Sequence, residues 1–334
     1  MKKILLIETG GTIAMRISQS NDPVEIDPDR SAYIVRKSMP ELNRLADIST
    51  LNLFSEDSSN LNPHHWVRIA QTIDDRYDDF DGFVILHGTD TMAYTASALS
   101  FCLNNLDKPV VLTGSQVPLM SIRSDARRNL INAIEVATMP INEVAICFND
   151  QVFRGNRTTK MSIGDFDAFT SPNFPPLAEI GLHIETQFHG NSTDKAFEVT
   201  ADFDSGVYLL KLFPGLNPKY LNLLLDWPPH VLIMEAFGSG NIPLSGPYNL
   251  LPFIKKCRDE EIPVVVCSQA VYDSVDLTKY RSGKELLSLG AIGAGDMTTE
   301  SAVTKMMYLL AHDDAKADIA EHFITPIAGE ITQR

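Results

Sequence analysis

Ile4-Leu5-Leu6-Ile7-Glu8-Thr9-Gly10-Gly11-Thr12-Ile13-Ala14 is the stretch from which the rest of the chain can be read. Its four consecutive apolar residues predict a buried strand. The paired glycines permit a sharp turn and leave open space beside the backbone. Thr12 then falls on the loop leaving the strand's carboxyl end, the edge at which open α/β sheets bind ligands. The same residues also suit a structural turn whose threonine caps a helix. The remaining residues of the chain have to separate the two.

The pattern recurs. Phe83-Val84-Ile85-Leu86 opens into His87-Gly88-Thr89-Asp90-Thr91, and Val110-Val111-Leu112 opens into Thr113-Gly114-Ser115. Residues 144–148 form another apolar run, and 51–54 a short one that ends in Ser55-Glu56-Asp57-Ser58-Ser59. Between them the spacing predicts helices over 62–77, 92–103 and 124–138, the first capped by Asn62 with Pro63 in its opening turn. Strand-like runs return at 207–213, 231–234 and 264–267, with helices near 217–225, 247–260, 299–312 and 315–323. Most of these runs are continuously apolar, as expected of strands in a mainly parallel sheet covered on both faces. The fold class is therefore α/β, with a larger N-terminal and a smaller C-terminal domain. Residues 186–205 are polar and show little periodicity, so the expected division is a domain over 1–185, a linker over 186–206 and a domain over 207–334. Residues 16–31 are polar and rich in turn formers, which predicts a mobile loop beside Thr12, and a weakly amphipathic helix is expected over 31–38.

Composition narrows the function classes. With 334 residues, 44% of them hydrophobic, the chain can build large cores without disulfides or metals. The net charge of −15 speaks against nucleic acid and against an anionic membrane surface, both of which attract basic clusters. The N-terminal apolar run is too short for a signal peptide, and no stretch is long enough for a transmembrane helix. Cys102, Cys147, Cys257 and Cys267 form no CxxC pair, and the eight histidines show no HExxH spacing, so no metal is expected. Neither a GxGxxG nor a phosphate-binding glycine loop occurs, so no cofactor is expected. The expectation is a reduced, cytoplasmic, water-soluble protein.

Three strand ends deliver hydroxyls: Thr12, Ser58 with Ser59, and Thr89 with Asp90. A fourth segment, Arg154-Gly155-Asn156-Arg157-Thr158-Thr159-Lys160, is a basic loop after a strand. Converging hydroxyls with one carboxylate and one lysine describe a pocket for a small zwitterion and for attack on an acyl carbon. Taken singly, Asp90 also suits a helix cap, Lys160 solvated surface, and the serines ordinary turns. His87, at a strand end before a glycine, reads as a packed structural histidine.

Together, Thr9-Gly10-Gly11-Thr12-Ile13-Ala14 and His87-Gly88-Thr89-Asp90-Thr91-Met92 resemble the two signatures of the bacterial-type L-asparaginase family. Asp57-Ser58-Ser59 and the 154–160 segment resemble its cytoplasmic type I branch. The resemblance runs from about residue 4 to 310. It implies two α/β domains, a homodimer or homotetramer, and hydrolysis of L-asparagine to L-aspartate and ammonia. It makes Thr12 the nucleophile of a β-acyl-enzyme, and Thr89, Asp90 and Lys160 the second catalytic set. Asp57, Ser58, Ser59 and Asp90 become the substrate clamp, and Asn241 a contact supplied by a neighbouring subunit. A lysine is ordinarily protonated at neutral pH, so Lys160 is expected to polarise Thr89 as a cation rather than act as a free base.

Two departures from the family pattern stand out. Residues 16–31 lack the tyrosine that the family places over its nucleophile, and Tyr33 lies just beyond. Glu235 and Ala270 stand where regulated type I members carry an arginine and a cysteine for a second asparagine, so strong activation by substrate is not expected. The amidase subunit of a tRNA-dependent amidotransferase shares the motifs, and so would an amino-acid-binding protein that had lost the chemistry.

Overall fold

The computed structural model describes residues 1–14, 39–187 and 195–333. The loop expected over 16–31, the helix over 31–38 and Tyr33 lie outside these residues. The chain divides into two compact units, Met1–Ala201 and Asp202–Arg334.

The first unit is built on an eight-stranded sheet. Its strands are β1 (Lys3–Gly10), β2 (Asp47–Glu56), β3 (Gly82–Leu86), β4 (Val110–Thr113), β5 (Val144–Phe148), β6 (Gln151–Arg154), β7 (Ala178–Ile180) and β8 (Ile184–Thr186), in the order β8-β7-β6-β5-β4-β3-β1-β2. From β2 to β5 all neighbours run parallel, with Ile4 beside both Ile48 and Gly82, and Phe83 beside Val110. The three strands after β5 are antiparallel, so the sheet is mainly parallel with an antiparallel edge. The central strands β3, β4 and β5 are buried along their whole length, which is why they read as continuous apolar runs. β2 is an edge strand of alternating exposure. Its apolar centre is all that the 51–54 run reveals of its ten residues.

The helices arise from their spacing. In α1 (Pro63–Asp75), Trp66, Ile69, Ala70 and Ile73 are buried, one face of a 3.6-residue period. Asn62 caps this helix by accepting from the His64 N–H at 3.1 Å. Nearly every residue of α2 (Met92–Cys102) is buried, and the helix is correspondingly apolar all round. α3 (Ala126–Val136) packs Leu130, Ala133 and Ile134 into the same core as β1 and β4. The boundary between the units falls inside the polar 186–206 stretch, where Glu198–Val199 pairs with Leu103–Asn104.

The second unit holds a parallel four-stranded sheet, β9 (Val207–Lys211), β10 (Val231–Ala236), β11 (Val264–Ser268) and β12 (Ile292–Gly293), in sequential order. Helices α4 (Leu251–Asp259) and α6 (Thr299–Leu310) coincide with expected ones. Helix α5 (Arg281–Ser288) has no counterpart among the helices expected from spacing. Its buried face is Ser282, Gly283 and Leu286, and small residues carry no hydrophobic period. The helix expected over 315–323 is two short ones, Asp313–Lys316 and Ile319–Ile324. Among the described residues no helix is long and apolar enough to cross a membrane.

Candidate active site

β1, β2, β3 and β4 end side by side, so the four loops that leave them are neighbours. Two glycines set how close those loops come. A Cβ on Gly11, whose φ is +85°, would lie 2.5 Å from the Gly88 nitrogen, and a Cβ on Gly88 would lie 2.6 Å from Ser58 Oγ. Only residues without a side chain allow backbone to approach backbone this closely. Through them the loops carrying Thr12, Ser58 and Thr89 are in direct contact. Two hydrogen bonds reinforce the junction: Thr9 Oγ1 donates to Leu86 O at 2.7 Å, and Thr91 Oγ1 donates to Ser58 O at 2.7 Å.

Within this cluster Lys160 Nζ donates to Thr89 Oγ1 at 2.7 Å and to Asp90 Oδ1 at 2.6 Å. One ammonium thus bridges a hydroxyl and a carboxylate. Asp90 does not cap α2: the cap position is Thr91, without a side-chain bond, and the Asp90 side chain is 63% exposed while paired to Lys160. Lys160 is not solvated surface either, its side chain being only 14% exposed. Arg154 grips Glu143 with two bonds, Nε to Oε2 at 2.6 Å and an Nη to Oε1 at 2.7 Å. Arg157 is buried, its guanidinium 5.3 Å from the Phe174 ring centre. The expected basic loop is therefore a lysine bonded to Thr89 and Asp90, an arginine paired with Glu143 and a buried arginine beside Phe174.

Asp57 accepts from both the Ser59 backbone N–H and the Ser59 hydroxyl, each at 2.8 Å. These bonds favour the ionised form and hold the Asp57 carboxyl below its usual pKa. Ser58 is buried beside Gly88, while Asp57 and Ser59 are exposed. Thr12 opens a one-turn 3-10 segment, Thr12–Ala14. Asn241 belongs to the second unit, in a turn closed by Phe237, where its Oδ1 accepts from Ser282 Oγ at 2.6 Å. Glu235 is also in that unit, accepting from Thr299 Oγ1 at 2.8 Å and pairing with Lys211. All four cysteines are buried free thiols, and no group of histidines, cysteines and carboxylates among the described residues could hold a metal.

His87 is the structural residue its position suggests. Its Nδ1 lies 2.7 Å from Gly88 O and so must carry the proton; Nε2 then accepts from the Thr95 hydroxyl at 2.8 Å. Trp66 Nε1 donates to the same hydroxyl. Complete burial pushes the imidazole pKa down to about 4, so the ring is neutral at physiological pH.

A further residue, Gln116, joins the cluster, although no sequence motif singles it out. Thr89 Oγ1 donates to its Oε1 at 3.1 Å. The Gln116 and Val117 backbone N–H groups are held by Asp125, which Asn129 bonds in turn. The available signal is positional, since Gln116 comes after β4 at the same sheet edge as Thr12 and Thr89.

Comparison with known proteins identifies the family. Residues 3–193 match the family described as "Asparaginase, N-terminal", and residues 206–323 match "Glutaminase/Asparaginase C-terminal domain". L-asparaginase 1 of Escherichia coli (strain K12) is 41% identical over 342 residues, covering 99% of this chain and 98% of that protein. A subunit of the glutamyl-tRNA(Gln) amidotransferase of Pyrococcus abyssi (strain GE5 / Orsay) is 34% identical, covering 99% of this chain and 77% of that one. The crystal structure of L-asparaginase I from Vibrio cholerae O1 biovar eltor superposes with a TM-score of 0.90 at 37% identity, covering 99% of each chain.

Proposed function

The chain belongs to the asparaginase family, and from that premise we propose that it hydrolyses L-asparagine to L-aspartate and ammonia through an acyl-enzyme on Thr12. The observation that carries the reading is the Thr89–Lys160–Asp90 cluster, whose loop touches the loop bearing Thr12 through Gly11 and Gly88. In the proposed reaction Thr12 Oγ1 adds to the side-chain amide carbon, and the C–N bond breaks with the threonine proton leaving on ammonia. Water then adds to the ester carbon, returning a proton to Thr12 and releasing the carboxyl group. A covalent nucleophile divides one difficult hydrolysis into two easier displacements. Backbone N–H groups near Thr89 would hold the oxyanion.

Asp90 would take the substrate's ammonium group, and Ser58, with Asp57 and Ser59, its α-carboxylate. Asn241 would complete the site from a neighbouring copy in a homodimer or homotetramer. No cofactor enters this chemistry. Four buried free thiols suit a reducing cytoplasm. The amidotransferase reading is less favoured, because a net charge of −15 opposes tRNA.

The test is ammonia release from asparagine and glutamine by the wild type and by Thr12→Ala. The expected result is turnover of asparagine that falls about 10³-fold or more in the variant. Asparagine binding without ammonia release in the wild type would instead identify a binding protein, and a fully active Thr12→Ala would remove the nucleophile assignment.

A further inference from the structure

We propose that Gln116 is a positioning residue that fixes the direction of the Thr89 hydroxyl, so that Thr89 offers the attacking oxygen a lone pair rather than a proton. The inference rests on the asparaginase reading above and concerns how the same site is set.

A hydroxyl has one proton to give and two lone pairs to receive. Among the described residues, Thr89 Oγ1 has two hydrogen-bond partners, Lys160 Nζ at 2.7 Å and Gln116 Oε1 at 3.1 Å. The ammonium of Lys160, paired with Asp90, can only donate. One Thr89 lone pair is therefore occupied, and the Thr89 proton goes to Gln116. What remains is a single lone pair.

That assignment depends on which way the Gln116 amide points, and the neighbourhood decides it. Gln116 Nε2 donates to Ser162 O at 3.3 Å and to Asp165 O at 3.1 Å. A flipped amide would set its oxygen against two carbonyl oxygens and lose both bonds. The backbone beneath is equally constrained, with the Gln116 and Val117 N–H groups 3.0 and 3.1 Å from the two oxygens of the buried Asp125 carboxylate. Gln116 is thus locked as an acceptor toward Thr89. The free Thr89 lone pair can take a hydrogen bond from the O–H of Thr12 or of an attacking water, which orients that oxygen's own lone pair at the acyl carbon.

Two substitutions and a pH profile test this. Gln116→Leu removes the acceptor and frees the Thr89 proton to turn toward the substrate. The expected effect is a fall in kcat of about 10- to 100-fold, the scale of one unmet hydrogen bond in a site, with KM changed less than about threefold. Gln116→Glu keeps the shape and is expected to work best while protonated. Once ionised it faces the Ser162 and Asp165 carbonyls without a donor and draws Lys160 away from Thr89. The ratio of kcat at pH 5 to kcat at pH 8 should therefore exceed the wild-type ratio by about fivefold or more. A Gln116→Leu enzyme within about twofold of wild-type kcat overturns the proposal, as does a loss confined to KM. If Gln116→Leu does not fold, the Gln116→Glu profile decides alone, and a profile parallel to the wild type's overturns the proposal. A wild type that releases no ammonia from either amide defeats the asparaginase reading itself, whereas an active wild type with an indifferent Gln116 defeats only this inference.

Discussion

His87 shows how a single residue at the edge of the site ties chemistry to stability. Its imidazole is fully buried, with both ring nitrogens satisfied by Gly88 O and Thr95. Burial disfavours the charged form and lowers the folded-state pKa to about 4, against 6.5 for an ordinary histidine. Between those values the unfolded chain binds a proton that the folded chain does not, so this contribution is present above about pH 6.5 and is lost as pH falls toward 4. The full difference is on the order of 3 kcal/mol. Urea unfolding at pH 7 and pH 4.5 should therefore show a loss that is about 2 kcal/mol smaller in His87→Gln than in the wild type. Equal pH dependence in the two proteins would show that His87 carries no such linkage. The role of this residue is legible from place alone, because a histidine between a buried strand and a glycine has little access to water.

At the scale of elements, the decisive feature is the meeting of loops at the carboxyl edge of a parallel sheet. The sequence shows that β1 and β3 each end in a glycine and a threonine, but not that these ends touch. Strand order brings them together, since β1 lies between β2 and β3, and the two glycines set the distance. Gly11→Ala should therefore damage both stability and rate. Its Cβ would fall 2.5–2.6 Å from Gly88 backbone atoms, on a residue with φ of +85°, a combination that costs about 2 kcal/mol or more unless the loops part. The expected outcome is a lower Tm together with a fall in kcat, because the loops can separate only by moving Thr12 away from Thr89. A variant with wild-type Tm and kcat would show that the contact does not position the site. Packing between elements also accounts for the two arginines of the 154–160 segment. Arg154 and Arg157 read as basic loop residues, yet a carboxylate and a phenylalanine 11 to 20 positions away in sequence take them into the interior.

Across the whole molecule each unit carries its own core, and the second also carries a buried ion pair. Lys305 on α6 and Glu330 near the C-terminus are fully buried and bonded to each other. Lys305 also donates to Phe323 O and Thr325 O at 2.7 Å, while Glu330 accepts from the Ile327 and Ala328 N–H groups. Every one of these partners lies in the last turns of the chain, so the pair pins the C-terminal segment to α6. Removing one partner strands the other charge away from water, and Glu330→Ala should cost about 3–5 kcal/mol. Thermal unfolding would read this as a marked fall in Tm, and a change under about 1 kcal/mol would show that water reaches the site. The order of residues along the chain was enough to establish the α/β class, the two-domain plan and the family. Those depend on hydrophobic period and on residues adjacent in the chain. It took the folded arrangement to pair Asp90 with Lys160 rather than with the end of α2, to give the Thr89 proton to Gln116, and to bring Lys305 to Glu330. Each of those choices is made between segments remote in sequence, where no local period records which side chains will share a space, and where a buried donor or acceptor must take whatever partner the packing supplies.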